Sequence, residues 1–159
     1  MIRIALYQPD IPQNTGALLR LGACLGTPVD IIGPCGFVLT DRGLRRAGMD
    51  YLDMAVMQRH DSWVTFLDHL AARQGRLILL TTRATQAYSE FRFAPGDTLL
   101  LGRESAGAPD DVHARADARL RIPMLKGRRS LNMALCAAMV LGEALRQVNG
   151  FPALSESAA

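Results

Sequence analysis

The 159-residue sequence predicts a single α/β domain in which helices flank a mostly parallel β-sheet. Two observations lead to this fold class. Short apolar, β-branched segments recur along the chain, and amphipathic helical patterns separate them. This alternation is typical of parallel sheets, whose ligands bind beyond the carboxyl ends of the strands. We therefore expect functional residues in the loops that follow strands.

Several segments have the composition of buried strands. They are residues 2–7, 28–32, 76–81, 98–102 and 118–122. A first helix is indicated by leucines that share one helical face, namely Leu18, Leu21 and Leu25. A second helix is indicated by apolar residues at helical spacing behind Asp61 or Ser62 as N-cap, namely Trp63, Phe66, Leu67 and Leu70.

The last predicted helix, residues 130–147, is apolar nearly all round. Ser130 is its expected N-cap, and Gly150 and Pro152 end it. A helix of this composition is normally buried on every side, and in so small a domain this indicates that part of it faces a second subunit. We expect one domain over residues 1–152 and a short polar tail over 153–159.

Several classes of protein are disfavoured. The three cysteines lie far apart and form no CxxC pair, and the histidines are isolated, so we expect a reduced chain without a metal site. The N-terminus does not resemble a signal peptide, and the longest apolar run is too short to span a membrane. We expect a cytoplasmic protein.

The net charge of +3 is modest, but the cations are arginines apart from Lys126. Guanidinium offers a planar fork of donors that suits phosphate, so the basic surface is compatible with nucleic acid. A GC-rich coding sequence would also favour arginine. Composition alone leaves both explanations open.

The loop after the first strand, residues 8–20, is the first of three candidate functional segments. Asn14 can cap the helix that follows, Gly16 permits close approach of another backbone, and Arg20 lies about one and a half turns later. An ordinary capped helix with a solvent-facing arginine would have the same sequence.

The second segment, residues 99–109, is a strand that ends in a glycine-rich loop. Glycines let backbone groups approach a ligand, and Glu104 supplies an acceptor or pairs with an arginine. An esterase motif is excluded because its pattern around Ser105 requires glycine where Arg103 stands. A plain strand-to-helix turn is the alternative.

The third segment, residues 122–132, places a basic run before the last helix, whose N-terminus attracts anions. It is not a P-loop, since the Lys126-Gly127 order is reversed and the spaced first glycine is missing. No G-x-G-x-x-G follows the first strand, which removes the main argument for a nicotinamide enzyme.

Taken in order, the three segments resemble the signature motifs of the SPOUT-class RNA 2′-O-methyltransferases. The matching residues are Asn14-x-Gly16-x-x-x-Arg20, Gly102-x-Glu104-x-x-Gly107-x-Pro109, and Ile122-Pro123-Met124 followed by Ser130-Leu131-Asn132. The resemblance covers roughly residues 1–152. The short length and the run Leu44-Arg45-Arg46-Ala47-Gly48-Met49-Asp50-Tyr51 look most like the TrmL-type subgroup, which modifies the wobble nucleotide of tRNA. Relatives in that subgroup usually have proline where this chain has Arg103.

This resemblance implies a deep C-terminal trefoil knot, S-adenosylmethionine as methyl donor, tRNA as substrate and a homodimer. From the positions that match the family's motifs, the resemblance implies that the catalytic candidates are Arg20, Asn14, Glu104 and Asn132. It also implies that Arg20 reaches the methyl donor bound by the other subunit. The cofactor-binding candidates are Leu80, Gly102, Ile122 and Ser130.

The candidates for RNA contact cluster in two loops, although each could be an ordinary solvated surface charge. They are Arg42, Arg45, Arg46, Lys126, Arg128 and Arg129. The expected function is 2′-O-methylation of nucleotide 34. The alternatives are 2′-O-methylation at another tRNA or rRNA position, or a non-catalytic RNA-binding dimer of the same fold.

Overall fold

The computed structural model describes residues 1–39, 51 and 53–154. Within them, seven strands form one sheet. The strands are β1 (Arg3–Tyr7), β2 (Val29–Ile32), β3 (Met57–His60), β4 (Leu77–Leu80), β5 (Gln86–Ala87), β6 (Thr98–Leu101) and β7 (Ala118–Arg121). The helices are α1 (Pro12–Leu25), α2 (Trp63–Arg73), α3 (Asp110–Arg115) and α4 (Met133–Gln147), with a 3₁₀ turn at Tyr88–Glu90.

The strand order is β3-β2-β1-β6-β4-β7-β5, and each neighbouring pair is parallel. This confirms the predicted α/β class with a parallel sheet. The carboxyl ends of β1, β6, β4 and β7 lie side by side, so the loops that follow these strands meet at one edge of the sheet.

Helices cover both faces of the sheet because successive strand residues point to opposite sides. Ile4 and Leu6 of β1 belong to a core cluster with residues of α1 and α4. Ala5 and Tyr7 belong to a second cluster with residues of α2 and α3. The apolar, β-branched strands predicted from the sequence are therefore buried on both faces, as parallel strands usually are.

Two strands were not predicted from the sequence. The edge strand β3 has the polar sequence MQRH, and β5 contains only two residues. Neither segment has the apolar run by which a buried strand is recognised.

The predicted start of α2 is confirmed. The Ser62 hydroxyl accepts a hydrogen bond from the Thr65 backbone N–H at 3.2 Å, and the Thr65 hydroxyl accepts one from the Ser62 N–H at 3.1 Å. This reciprocal pair is a capping box, which satisfies backbone donors that the first turn of a helix leaves without partners.

The predicted caps of the other two helices are wrong. Asn14 lies inside α1, whose N-cap is Ile11 without a side-chain hydrogen bond. The N-cap of α4 is Asn132 and not Ser130, because the Asn132 side-chain oxygen accepts hydrogen bonds from the Ala134 and Leu135 N–H groups at 2.8 and 3.2 Å. Both asparagines thereby acquire contacts that a simple capping pattern does not indicate.

Within the single chain α4 is buried on one face only, and the second subunit expected to cover the rest of it stays a prediction. Leu135 is 60% exposed and Met139 44% exposed, whereas Ala137, Val140 and Leu141 are buried. One face of α4 packs on the sheet and on α1, and another carries exposed apolar side chains. None of the helices in the described ranges combines the length and the apolar composition that a transmembrane span requires.

Candidate active site

A cavity of about 480 Å³ lies at the edge where β4, β6 and β7 end. Its lining includes all four residues named as cofactor-binding candidates and three of the catalytic ones. These are Leu80, Gly102, Ile122 and Ser130, together with Asn14, Glu104 and Asn132. The cavity thus gathers residues from all three segments singled out in the sequence.

Gly102, directly after β6, stands where the chain doubles back closely on itself. A Cβ atom at this position would lie 2.5 Å from the Gly107 carbonyl carbon and 2.6 Å from the Ala108 nitrogen. Arg103 and Gly107 exchange two backbone hydrogen bonds of 2.9 and 2.8 Å, and Gly107 has a φ of +68°. Glycine at 102 therefore keeps the main chain exposed along the cavity wall.

A chain of side-chain hydrogen bonds joins the three segments. Asn132 donates through Nδ2 to the Asn14 Oδ1 at 3.0 Å, and Asn14 donates through Nδ2 to Glu104 Oε1 at 3.3 Å. The amide orientations follow from the helix cap: since Asn132 Oδ1 accepts from the start of α4, its NH₂ group faces Asn14. Asn14 must then present its own NH₂ group to the Glu104 carboxylate.

Asp10 completes this network, although nothing in the sequence pointed to it beyond its place in the first loop. Its backbone N–H donates to Glu104 Oε2 at 2.9 Å, and the Glu104 N–H donates to Asp10 Oδ1 at 3.2 Å. The Ser105 hydroxyl also donates to Asp10, and Arg103 Nε lies 3.7 Å from Asp10 Oδ2. Hydrogen bonds therefore hold the loops after β1 and β6 together.

The two carboxyl groups perturb each other. A hydrogen bond between the side chains lowers the pKa of Asp10 to about 2, with a further contribution from Ser105. Burial raises the pKa of Glu104 above its ordinary value, and the hydrogen bond to Asp10 raises it further. Opposed shifts in a pair of neighbouring carboxyls are characteristic of functional sites.

Arg20 does not line the cavity. It is exposed on α1, and its guanidinium stacks over the Tyr51 ring with the central carbon 4.6 Å from the ring centroid. Arg20 lies six residues beyond Asn14 along α1, which corresponds to about 9 Å along the helix axis. Sequence reasoning did not identify Tyr51 as its stacking partner.

The basic candidates of the third loop lie beside the cavity. Lys126, Arg128 and Arg129 are exposed in the connection between β7 and α4, between the cavity-lining residues Met124 and Ser130. The other basic candidates, Arg42, Arg45 and Arg46, lie outside the described residues. In the part of the chain that is described, no group of His, Cys, Asp or Glu side chains could hold a metal ion.

Comparison with known proteins adds independent information. Residues 1–142 match the model of the SpoU rRNA Methylase family. A tRNA (cytidine(34)-2′-O)-methyltransferase from Beijerinckia indica subsp. indica is 59% identical over 145 residues, covering 91% of each chain. The enzyme of the same name from Escherichia coli K12 is 40% identical over 154 residues, covering 96% of each chain.

Solved structures agree with the sequence comparison. One, described as giving structural insights into the 2-OH methylation of C/U34 on tRNA, has a TM-score of 0.88 and 43% identity, and the match covers 94% of this chain and 97% of the other. The SpoU methyltransferase AviRb from Streptomyces viridochromogenes, in complex with AdoMet, has a TM-score of 0.83 and 26% identity over 91% of this chain and 59% of its own. The chain therefore belongs to the SpoU rRNA Methylase family.

Proposed function

We propose that this chain is a tRNA 2′-O-ribose methyltransferase that modifies nucleotide 34 with S-adenosylmethionine as methyl donor. The observation that carries the proposal is the identity of 59% to a tRNA (cytidine(34)-2′-O)-methyltransferase, which extends over 91% of both chains. The hydrogen-bonded network of Glu104, Asn14 and Asn132 at the cavity supports a catalytic rather than a purely binding role.

The cavity suits S-adenosylmethionine in its chemistry. Leu80 and Ile122 offer apolar surface for an adenine ring, the exposed backbone at Gly102 offers donors and acceptors, and Ser130 offers a hydroxyl. Glu104 places a carboxyl group where a sulfonium cation would be attracted. We assign Leu80, Gly102, Ile122 and Ser130 to cofactor binding; when bound, the cofactor supplies an electrophilic methyl group.

RNA would approach over the basic loop beside the cavity. Lys126, Arg128 and Arg129 are exposed and point to contacts with phosphate, to which Arg42, Arg45 and Arg46 would add. Such contacts bind RNA without reading its sequence, and their strength falls as salt rises. Because tRNA would be its substrate, we also propose that the enzyme acts in the cytoplasm.

The site requires a second subunit under this proposal. Arg20 is set apart from the cavity of its own chain, so it would act in the cavity of a partner. α1 and α4 pack side by side, and exposed apolar residues near them offer a surface for a homodimer. These are Leu131, Leu135 and Met139.

Arg20 is assigned to orienting the ribose hydroxyl or an adjacent phosphate. A guanidinium is always protonated in proteins, so it donates hydrogen bonds and cannot take the hydroxyl proton. Stacking on Tyr51 restricts its plane, which favours a positioning role. Correct placement of the hydroxyl is a large part of catalysis for so poor a nucleophile.

We extend the proposal to topology and domain limits. Residues 99–109 and 122–132, both of which contribute residues to the cavity lining, would form the trefoil knot typical of SPOUT proteins, within one domain over residues 1–152 and a tail over 153–159. The knot would hold together the loops that bind the cofactor.

The test is methyl transfer from labelled S-adenosylmethionine to tRNA that lacks its own modifications, followed by nuclease digestion to place the label. Label on the ribose of nucleotide 34 is the expected result. Label elsewhere on the RNA would overturn the choice of nucleotide but keep the reaction. Cofactor binding without transfer to any RNA would favour a non-catalytic RNA-binding dimer.

A further inference from the structure

The reaction proposed above leaves one proton without an acceptor. A ribose hydroxyl must lose its proton as it is methylated, and Arg20 cannot accept it. Of the described residues that line the cavity, Glu104 alone carries a carboxyl group, and none is a histidine. Burial raises the pKa of the Cys136 thiol at the same cavity, which keeps that group protonated.

We propose that Glu104 accepts the proton of the ribose hydroxyl and that Asp10 is a positioning residue that makes Glu104 a stronger base. This inference rests on the proposed function. In the step, the hydroxyl O–H bond breaks and its proton passes to a Glu104 carboxylate oxygen. The freed electron pair forms the bond from the ribose oxygen to the methyl carbon, and the pair of the breaking carbon–sulfur bond stays on sulfur.

The geometry holds Glu104 firmly while leaving it capacity to accept a proton. Oε2 accepts from the Asp10 N–H and Oε1 accepts from Asn14 Nδ2, so each oxygen has one neutral donor. A carboxylate offers about four acceptor positions in all. No arginine or lysine forms a described ion pair with Glu104, which is the contact that would most weaken it as a base.

Asp10 is placed to increase the affinity of Glu104 for a proton. Its own charge is stabilised by the Ser105 hydroxyl and by Arg103, so Asp10 stays ionised while Glu104 gains a proton. A neighbouring negative charge disfavours ionisation of a carboxyl group and therefore increases its affinity for a proton. Among the described residues, the titratable groups that face Glu104 are Asp10 and Cys35, and Arg103 faces Asp10.

The experiment compares Glu104→Gln, Asp10→Asn and the matched control Glu90→Gln, an exposed carboxyl outside the cavity. Single-turnover methyl transfer to unmodified tRNA is followed against pH. Cofactor affinity is measured by calorimetry, and ¹³C NMR follows titration of the Glu104 carboxyl in the cofactor-free protein.

We expect Glu104→Gln to lower the transfer rate about 100-fold or more, as loss of a general base does, with Glu104→Asp recovering part of the rate. Asp10→Asn should move the acidic limb of the rate profile and the NMR midpoint of Glu104 to lower pH by the same amount. Glu90→Gln should change neither.

Normal transfer by Glu104→Gln would overturn the inference, and so would an Asp10→Asn variant that shifts the NMR midpoint but leaves the rate profile in place. If Glu104→Gln fails to bind cofactor, its transfer rate says nothing about the base. The test then rests on whether Asp10→Asn shifts the rate profile and the NMR midpoint together. Absence of transfer by the unaltered protein would overturn the proposed function itself. That outcome is distinguishable because the NMR titration would still report the coupling of Asp10 and Glu104.

Discussion

The side-chain amide of Asn132, at the N-cap of α4, donates a 3.0 Å hydrogen bond to the side-chain oxygen of Asn14 in α1. One residue thus both starts the last helix and orients the amide that faces Glu104. The stability of α4 and the geometry of the site depend on the same side chain.

Two substitutions at position 132 separate these roles. Asn132→Ala removes the cap and should lower the free energy of unfolding by about 1 kcal/mol. Asn132→Asp keeps a capping oxygen but loses the donor to Asn14, so it should retain stability while methyl transfer falls about tenfold. Urea denaturation and a transfer assay measure the two effects. Full transfer by Asn132→Asp would contradict the assigned orientation.

Replacement of Arg20 tests its positioning role. Arg20→Lys keeps the charge but loses the planar fork of donors and the stacking on Tyr51, so most turnover should be lost while cofactor affinity is unchanged. Turnover on tRNA and calorimetric titration with S-adenosylmethionine provide the measurements, with Arg115→Lys, an exposed arginine on α3, as control. Normal turnover by Arg20→Lys would exclude the role.

The exposed face of α4 predicts the state of assembly. Leu135→Glu places a charge on a side chain that is 60% exposed in the single chain, and it should convert a dimer to monomers because a buried unpaired charge is costly at an interface. Analytical ultracentrifugation measures this. Val64→Glu, at an equally exposed position on α2, should remain dimeric. A dimer unaffected by Leu135→Glu would place the interface elsewhere.

A buried charge cluster under α2 predicts how stability varies with pH. Asp30 is fully buried, with Arg3 Nε at 2.9 Å, His60 Nε2 at 2.8 Å and Arg73 Nη1 at 3.4 Å from its oxygens. Burial alone would raise the pKa of Asp30, but the hydrogen bonds from Arg3 and His60 outweigh it and the pKa is lowered. Ionised Asp30 therefore stabilises the fold above its ordinary pKa of about 3.9, and this contribution is lost as pH falls through the lowered value.

Asp30→Asn should accordingly cost about 3 kcal/mol at neutral pH, since it leaves the partly buried guanidinium groups of Arg3 and Arg73 without their counter-charge. The difference from the unaltered protein should shrink once the pH falls below about 3.9. Denaturant unfolding at neutral pH and at a pH below about 3.9 measures this difference in the free energy of unfolding. Asp110→Asn, which removes one partner of an exposed ion pair with Arg83, should leave stability unchanged at both. Equal destabilisation by Asp30→Asn at both pH values would refute the linkage.

The fold class was predictable from periodicity because most strands are apolar on both faces. The segments predicted at 2–7, 28–32, 76–81, 98–102 and 118–122 correspond to β1, β2, β4, β6 and β7. β3 was not predictable in this way, since as an edge strand it carries polar residues such as Gln58 and Arg59. Its pairing with β2 is a tertiary contact that leaves no periodic pattern in the sequence.

The candidate site, like the fold, was predictable from the sequence only in part. Local patterns indicated Asn14 and Glu104, because glycine-rich loops and helix starts after strands mark places where ligands bind, and the family resemblance added Asn132. They did not indicate how these side chains meet, and they assigned Asn14 and Ser130 to caps that Ile11 and Asn132 occupy.

Patterns within a few residues were enough to predict most of the helices and strands, the parallel sheet and the loops that carry polar groups. The contact of Asp10 with Glu104, 94 residues away, and that of Asn132 with Asn14, 118 residues away, came only from the folded chain. The physical reason is the strand order: β6 inserts beside β1, which brings the loops after these strands together, and α4 packs against α1. Contacts between such distant segments depend on the order in which the strands join the sheet, and no local sequence pattern predicts that order.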